Sequence, residues 1–135
     1  MAVSMEDVRA ALDPEEPDYE SAARLGEGAM PHLRDLARGD DPMLASKAIY
    51  LAGLIGGDDA GDIVLTAARD DDPTIRVAAA SSTSRLSTDA TEAVLIDLVA
   101  DGDPGVRKFA HRAIPQAPSA RLRAALERAP RPGQG

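Results

Sequence analysis

The dipeptide Asp-Pro recurs at positions 41–42, 72–73 and 103–104, 31 residues apart each time, with another copy at 13–14, 28 residues upstream. A period of this length marks a chain built from stacked supersecondary units. The residues that follow each Asp-Pro fall into columns: Leu44, Ile75 and Val106, then Ala48, Ala79 and Ala110 four places later, then Ile55 and Leu86 near the end of the segment. Apolar positions at that spacing follow the helical period and not the alternation of a strand. Asp at an N-cap accepts a hydrogen bond from an otherwise unpaired N–H of the first turn and faces the positive end of the helix. Pro at the first helical position gives up a donor that had no partner there. Each Asp-Pro is therefore expected to start a helix.

Within a unit, the first apolar segment meets a break (Gly56-Gly57, Ser87-Thr88, or Pro115 to Pro118) and a second apolar segment follows, at 63–68, 94–99 or 122–129. Asp89-Ala90-Thr91-Glu92 resembles a capping box at one of these second starts. The pattern predicts first helices near 15–25, 42–55, 73–86 and 104–114 and second helices near 28–38, 60–69, 90–100 and 118–129. A leading helix at 4–12 is expected to cap the N-terminus. The units run about 13–40, 41–71, 72–102 and 103–129 within a single domain at 1–129, and 130–135 reads as a flexible tail.

Composition agrees with helices packed closely through small side chains. Apolar residues make up 44% of the chain, yet 26 of them are Ala, and Leu, Ile, Val and Phe together supply only 27 residues. Large side chains are too few for a deep core, so order must come from regular close packing, which helices allow and a β-sandwich does not. There is no apolar run long enough for a membrane span and no basic-then-apolar leader, since the chain turns acidic at Glu6-Asp7. With no Cys, disulfides, thiolate metal sites and thiol nucleophiles are excluded. The expectation is a soluble, cytoplasmic protein.

The segments 70–80 (Asp70-Asp71-Asp72-Pro73-Thr74-Ile75-Arg76-Val77-Ala78-Ala79-Ala80) and 101–110 (Asp101-Gly102-Asp103-Pro104-Gly105-Val106-Arg107-Lys108-Phe109-Ala110) resemble the start of HEAT-like repeats. The resemblance is to the short bacterial kind, including those of bilin-lyase type, which run acid, Asp-Pro, apolar, Arg, Ala. Residues 25–33 resemble the turn and second helix of the same unit, and the likeness covers about 13–129. It departs in unit two, where Ala45 stands at the arginine position, and in unit one, which is three residues short. The resemblance implies an all-α, armadillo-like, right-handed α-solenoid of about four helix pairs, to which the leading helix at 4–12 adds an N-terminal cap. It places the second helices on the concave side and makes the molecule mostly a protein-binding scaffold. Some relatives bind nucleic acid or help attach a pigment.

The candidate site comes from the repeat register. One second-helix column reads Asp35, Thr66, Asp97 and Arg128, polar in every unit and therefore exposed; the column one residue earlier reads Arg34, Leu65, Ile96 and Glu127. Leu65 and Ile96 are either a small apolar patch on the concave face, rimmed by Asp62, Thr66, Arg69 and Asp97, or core in the better-covered middle units. An apolar centre with a charged rim suits a protein partner. The partner-binding set is thus Leu65, Thr66, Ile96, Asp97, Asp62, Arg69, Asp35 and Arg34.

Charge is segregated. Residues 1–103 hold 22 acids and eight bases, whereas 104–135 hold one acid and seven bases. The basic end (Arg107, Lys108, Arg112, Arg121, Arg123 and Arg128) supplies a runner-up reading as a phosphate- or nucleic-acid-binding module. The acidic remainder repels such a polymer and no aromatic residue is placed to stack on bases, so nucleic acid is the less favoured partner. Weak self-association, basic end against the acidic body of another copy, is a further option. An enzyme or enzyme accessory is the third reading: His32 and His111 lie in different units and no catalytic motif accompanies them. No catalytic residue, cofactor or metal is assigned. The aspartate clusters read as helix caps, Arg76 and Arg107 as donors to the preceding turn, and Ser81-Ser82-Thr83-Ser84 as hydroxyls bonding back along their helix.

Overall fold

The computed structural model describes residues 2–130, and all regular structure among them is helical. In chain order the elements are α1 (Met5–Leu12), α2 (Tyr19–Ala22), a 3-10 stretch (Ala23–Ala29), α3 (Met30–Ala37), α4 (Pro42–Ile55), α5 (Asp58–Ala67), α6 (Pro73–Ala80), α7 (Thr88–Leu98), α8 (Pro104–Arg112) and α9 (Ala120–Arg128).

Three of the four Asp-Pro pairs start helices. The carboxylates of Asp41, Asp72 and Asp103 accept from first-turn backbone N–H groups at the heads of α4, α6 and α8. Asp13-Pro14 does not; Asp13 closes α1 instead. Pro17 lies three residues beyond Pro14. It lacks the N–H that would bond back to Asp13 and it turns Glu16 away from helical geometry. The start is thereby delayed to Asp18, whose side chain caps Tyr19–Ala22. The rest of unit one continues as 3-10 turns interrupted at Gly26 (φ 68°).

The leading helix falls where the register puts it, and a true capping box holds its start: Ser4 N–H donates to Asp7 Oδ2 at 3.0 Å, and Asp7 N–H to Ser4 Oγ at 3.1 Å. The expected box at Asp89–Glu92 is not formed. Ser87 caps α7 two residues earlier through Ala90 N–H, leaving Asp89 in the first turn. The helix expected over 73–86 stops at Ala80. There Ser82 Oγ donates to Ala78 O at 2.5 Å, and Thr91 Oγ1 donates across to Thr83 O at 3.2 Å. The hydroxyls satisfy carbonyls that a longer helix would have used, so the chain turns early. The tail expected over 130–135 lies, from 131 on, outside the described residues.

The first helices α4, α6 and α8 pack in sequence on one another, and the second helices α3, α5, α7 and α9 do likewise. Each helix pair thus meets only its neighbours, with one continuous seam between the two layers: an α-solenoid. Of the 28 buried apolar residues described, 12 are Ala, and these set the close approach of the layers. Between neighbouring first helices, Gly53 of α4 lies close against the turn after α6: a Cβ there would stand 2.4 Å from Ser82 O.

Candidate functional site

The helix pairs present α3, α5 and α7 side by side, with α5 as the central ridge. Gly56 and Gly57, at φ 79° and 94°, make the sharp turn that brings α5 back along α4, a conformation that side chains rarely adopt. On α5, the register of the buried residues Ala60, Ile63, Val64 and Ala67 fixes which positions remain outside.

All four members of the polar column, Asp35, Thr66, Asp97 and Arg128, are exposed. In the adjacent column Leu65 and Ile96 are half-buried. They lean on the core while keeping part of their surface free, so they are neither open patch nor full core. Arg34 is half-buried and faces Asp59 at 3.5 Å, and Glu127 is exposed.

Two crevices flank the α5 ridge. One, of about 200 Å³, lies toward α3 and takes Arg34, Ile63, Thr66 and Asp70 into its wall. The other, of about 440 Å³, lies toward α7 and is formed by Asp58, Gly61, Asp62, Leu65, Asp89 and Ala90. Of the residues singled out from sequence, Arg34 and Thr66 share the first and Asp62 and Leu65 the second. Asp35, Arg69, Ile96 and Asp97 line neither. Gly61, Asp58 and Asp89 were not named as partner-binding residues, the two acids being read as caps, because their part in the crevice depends on how α5 and α7 lie together and not on a repeated column. Together α5 and α7 carry six acids and no base, so this stretch of surface is negative.

At the basic end, Lys108, Arg112, Arg121, Arg123 and Arg128 are exposed, whereas Arg107 is only 2% exposed and donates to Asp101 O at 2.7 Å. Arg76, its counterpart one unit earlier, donates to Asp70 O and Asp71 O at 2.9 and 3.0 Å, and also grips the Asp101 carboxylate. Both arginines therefore bond to carbonyls of the preceding turn. The aromatic rings are engaged within the molecule: at this end Arg112 stands 5.3 Å over Phe109, and at the other Tyr19 meets Tyr50 edge-on at 4.7 Å. That tyrosine pair borders a groove of about 410 Å³ on the first-helix side with Met43, which is 65% exposed, and Val77. No column of the repeat pointed to this groove.

The histidines are far apart in role. His32 Nε2 donates to Val3 O at 2.8 Å, tying the N-terminal segment to α3. His111 Nε2 is buried without a partner; burial, and after it the charge of Arg107, hold its pKa below the ordinary imidazole value. Among the acids, hydrogen bonds from Ser4 lower the carboxyl of Asp7, and those from Ser21 lower that of Asp18, as befits caps. Asp70 and Asp101 each accept the N–H two residues on, bracing the turns ahead of α6 and α8. Among the described residues no three His, Asp or Glu side chains converge as a metal site would require. No described helix is long and apolar enough to cross a membrane.

Neither the curated proteins nor the solved structures yield a match to this chain. The family model for HEAT repeats matches residues 30–115, from the start of α3 past the end of α8. With the stacked helix pairs and the Asp-Pro caps already described, that match shows that the chain belongs to the HEAT-repeat family.

Proposed function

We propose that the protein is a non-catalytic adaptor that holds a partner protein on its second-helix face, the concave side of the solenoid, around Leu65, Thr66, Ile96 and Asp97. HEAT repeats are generally protein-interaction scaffolds and typically non-enzymatic. What supports this face in particular is the state of Leu65 and Ile96: two large apolar side chains left half-exposed beside the exposed Thr66 and Asp97. Partly covered apolar groups within a charged surround give an interface its anchor and its rim. The six acids of α5 and α7 favour a partner segment that combines apolar and cationic side chains.

The test uses the full chain as bait, with bound proteins compared between the natural sequence and a Thr66→Arg/Asp97→Arg variant. Both positions are exposed, so the variant is expected to keep its helical content and melting temperature. Loss of one specific partner, with at least a tenfold fall in its affinity, supports the reading. Binding of the same partner at unchanged affinity places the contact elsewhere. Leu65→Glu/Ile96→Glu makes the same comparison at the apolar centre, with circular dichroism to check that the stack survives.

A further inference from the structure

The two equivalent arginines, Arg76 and Arg107, are used differently. Arg76 stitches one unit to the next: its Nε donates to Asp101 Oδ2 at 2.8 Å and its Nη2 to Asp101 Oδ1 at 3.1 Å, while Nη1 holds the carbonyls of the turn behind. The forked pair is well covered, with the two side chains 19% and 10% exposed. Such a bidentate grip matches the geometry of a carboxylate and of little else in a protein.

Arg107 repeats only the backward half. Its Nη1 takes Asp101 O, but Nε and Nη2, the atoms that in Arg76 hold the carboxylate, are buried with no acceptor. In the register, the place of Asp101 falls on Pro132, which offers no carboxylate. Among the described helices α8 packs only on α6 and α7, and α9 rests on α7 alone, so the outer flank of α8 is not covered by α9. A buried guanidinium with half its donors idle is costly and takes a matching anion strongly.

We infer that this end of the solenoid seats a carboxylate from the acidic N-terminal end of a second copy of the chain, gripped by Arg107 as Arg76 grips Asp101. Charge complementarity selects the occupant. Residues 1–20 hold seven acids and one base, and residues 104–135 hold one acid and seven bases, so the two ends of the molecule carry opposite charges of equal size. Glu15, Glu16 and Glu20 are exposed there, while Asp7 and Asp18 are engaged as caps. Because Arg107, in the first turn of α8, is only 2% exposed, the incoming turn must displace part of its cover before it closes over α8. That is how the turn at the head of α8 covers Arg76. The contact joins unlike surfaces, so it repeats head to tail and builds short chains of molecules. It uses the ends of the stack and leaves the second-helix face open.

Sedimentation velocity on the full chain at low salt tests this. Association is expected to rise with protein concentration and to weaken at least tenfold in high salt and in Arg107→Met, which fills the same space without the fork. Arg107→Lys, which keeps the charge and loses the fork, is expected to fail equally and serves should the Met variant misfold. The decisive arm mixes two defective molecules, Arg107→Met and Glu15→Lys/Glu16→Lys/Glu20→Lys. Each alone remains monomeric where the natural protein associates, and together they form a one-to-one dimer and nothing longer, since each retains one working end. A natural protein that stays monomeric up to about 1 mM overturns the inference. So does association at undiminished strength in both Arg107 variants, or a mixture that yields no dimer.

Discussion

At the scale of single residues, one arginine shows how a repeat is held to its neighbour. Arg76 lies 25 residues from Asp101 in sequence, and the pair exists only because the stack brings the head of α8 beside the head of α6. Its backward bonds to the turn before α6 were legible from the sequence, because that turn is local. The forward grip was not, since nothing in a single unit says which side chain of the next will arrive. Replacing Arg76 with Met removes both halves and leaves the Asp101 carboxylate covered and without its cation, which is expected to cost about 3 kcal/mol. Arg34→Met is the control. Its pair with Asp59 is 3.5 Å long and much more exposed, at 35% and 65%, so its loss should cost under about 0.5 kcal/mol. Urea denaturation of the two variants measures the difference, and equal, small shifts would show that the forked pair does not bind the units together.

At the scale of the element, helix starts and helix ends differ in how plainly they are written. The starts of α4, α6 and α8 are fixed by one side chain and one missing N–H, both carried by the Asp-Pro dipeptide, and they lie where the period puts them. Ends depend on competition. The column rule carried α6 on to residue 86 because Leu86 repeats Ile55, yet the hydroxyl of Ser82 and the carbonyl of Thr83 draw the chain off after Ala80. The same turn explains a glycine that no pattern singled out. Gly53 sits in the middle of α4, where glycine weakens a helix, and it is retained against that tendency by the Ser82 carbonyl pressed onto its Cα. Gly53→Ala gains helix propensity but puts a methyl carbon 2.4 Å from that oxygen, so α4 and the α6 turn must move apart. The expected outcome is a net loss of about 1–3 kcal/mol, read as a lower thermal midpoint. A variant more stable than the natural protein would show that the close approach is slack. The candidate site was legible to the same degree as the elements that carry it: the exposed column at Asp35, Thr66, Asp97 and Arg128 follows from helical period alone. The crevices beside α5 depend on inter-helix distances that small residues such as Gly61 and Ala90 set, and no column records them.

At the scale of the whole molecule, contacts run between neighbours and support is therefore uneven along the stack. The helix α4 touches α1, α2, the 3-10 stretch, α3, α5 and α6, and Ala48, Ile49, Leu51 and Ala52 within it are wholly buried. At the far end α9 leans on α7 alone, anchored by Leu122. In a chain of this kind stability is nearly a sum of unit and interface contributions, so a lesion at one end stays there. Leu122→Ala removes the anchor and is expected to lower the protection of amides in α9, and of those in α7 facing it, by about 2–3 kcal/mol in hydrogen exchange. The slow amides of α4 should keep their natural rates, because opening the last pair uncovers nothing that α4 touches. Exchange of α4 accelerating in step with α9 would mean that the molecule opens as one cooperative body, and the column logic that places Leu65 and Ile96 in equivalent surroundings would fail with it.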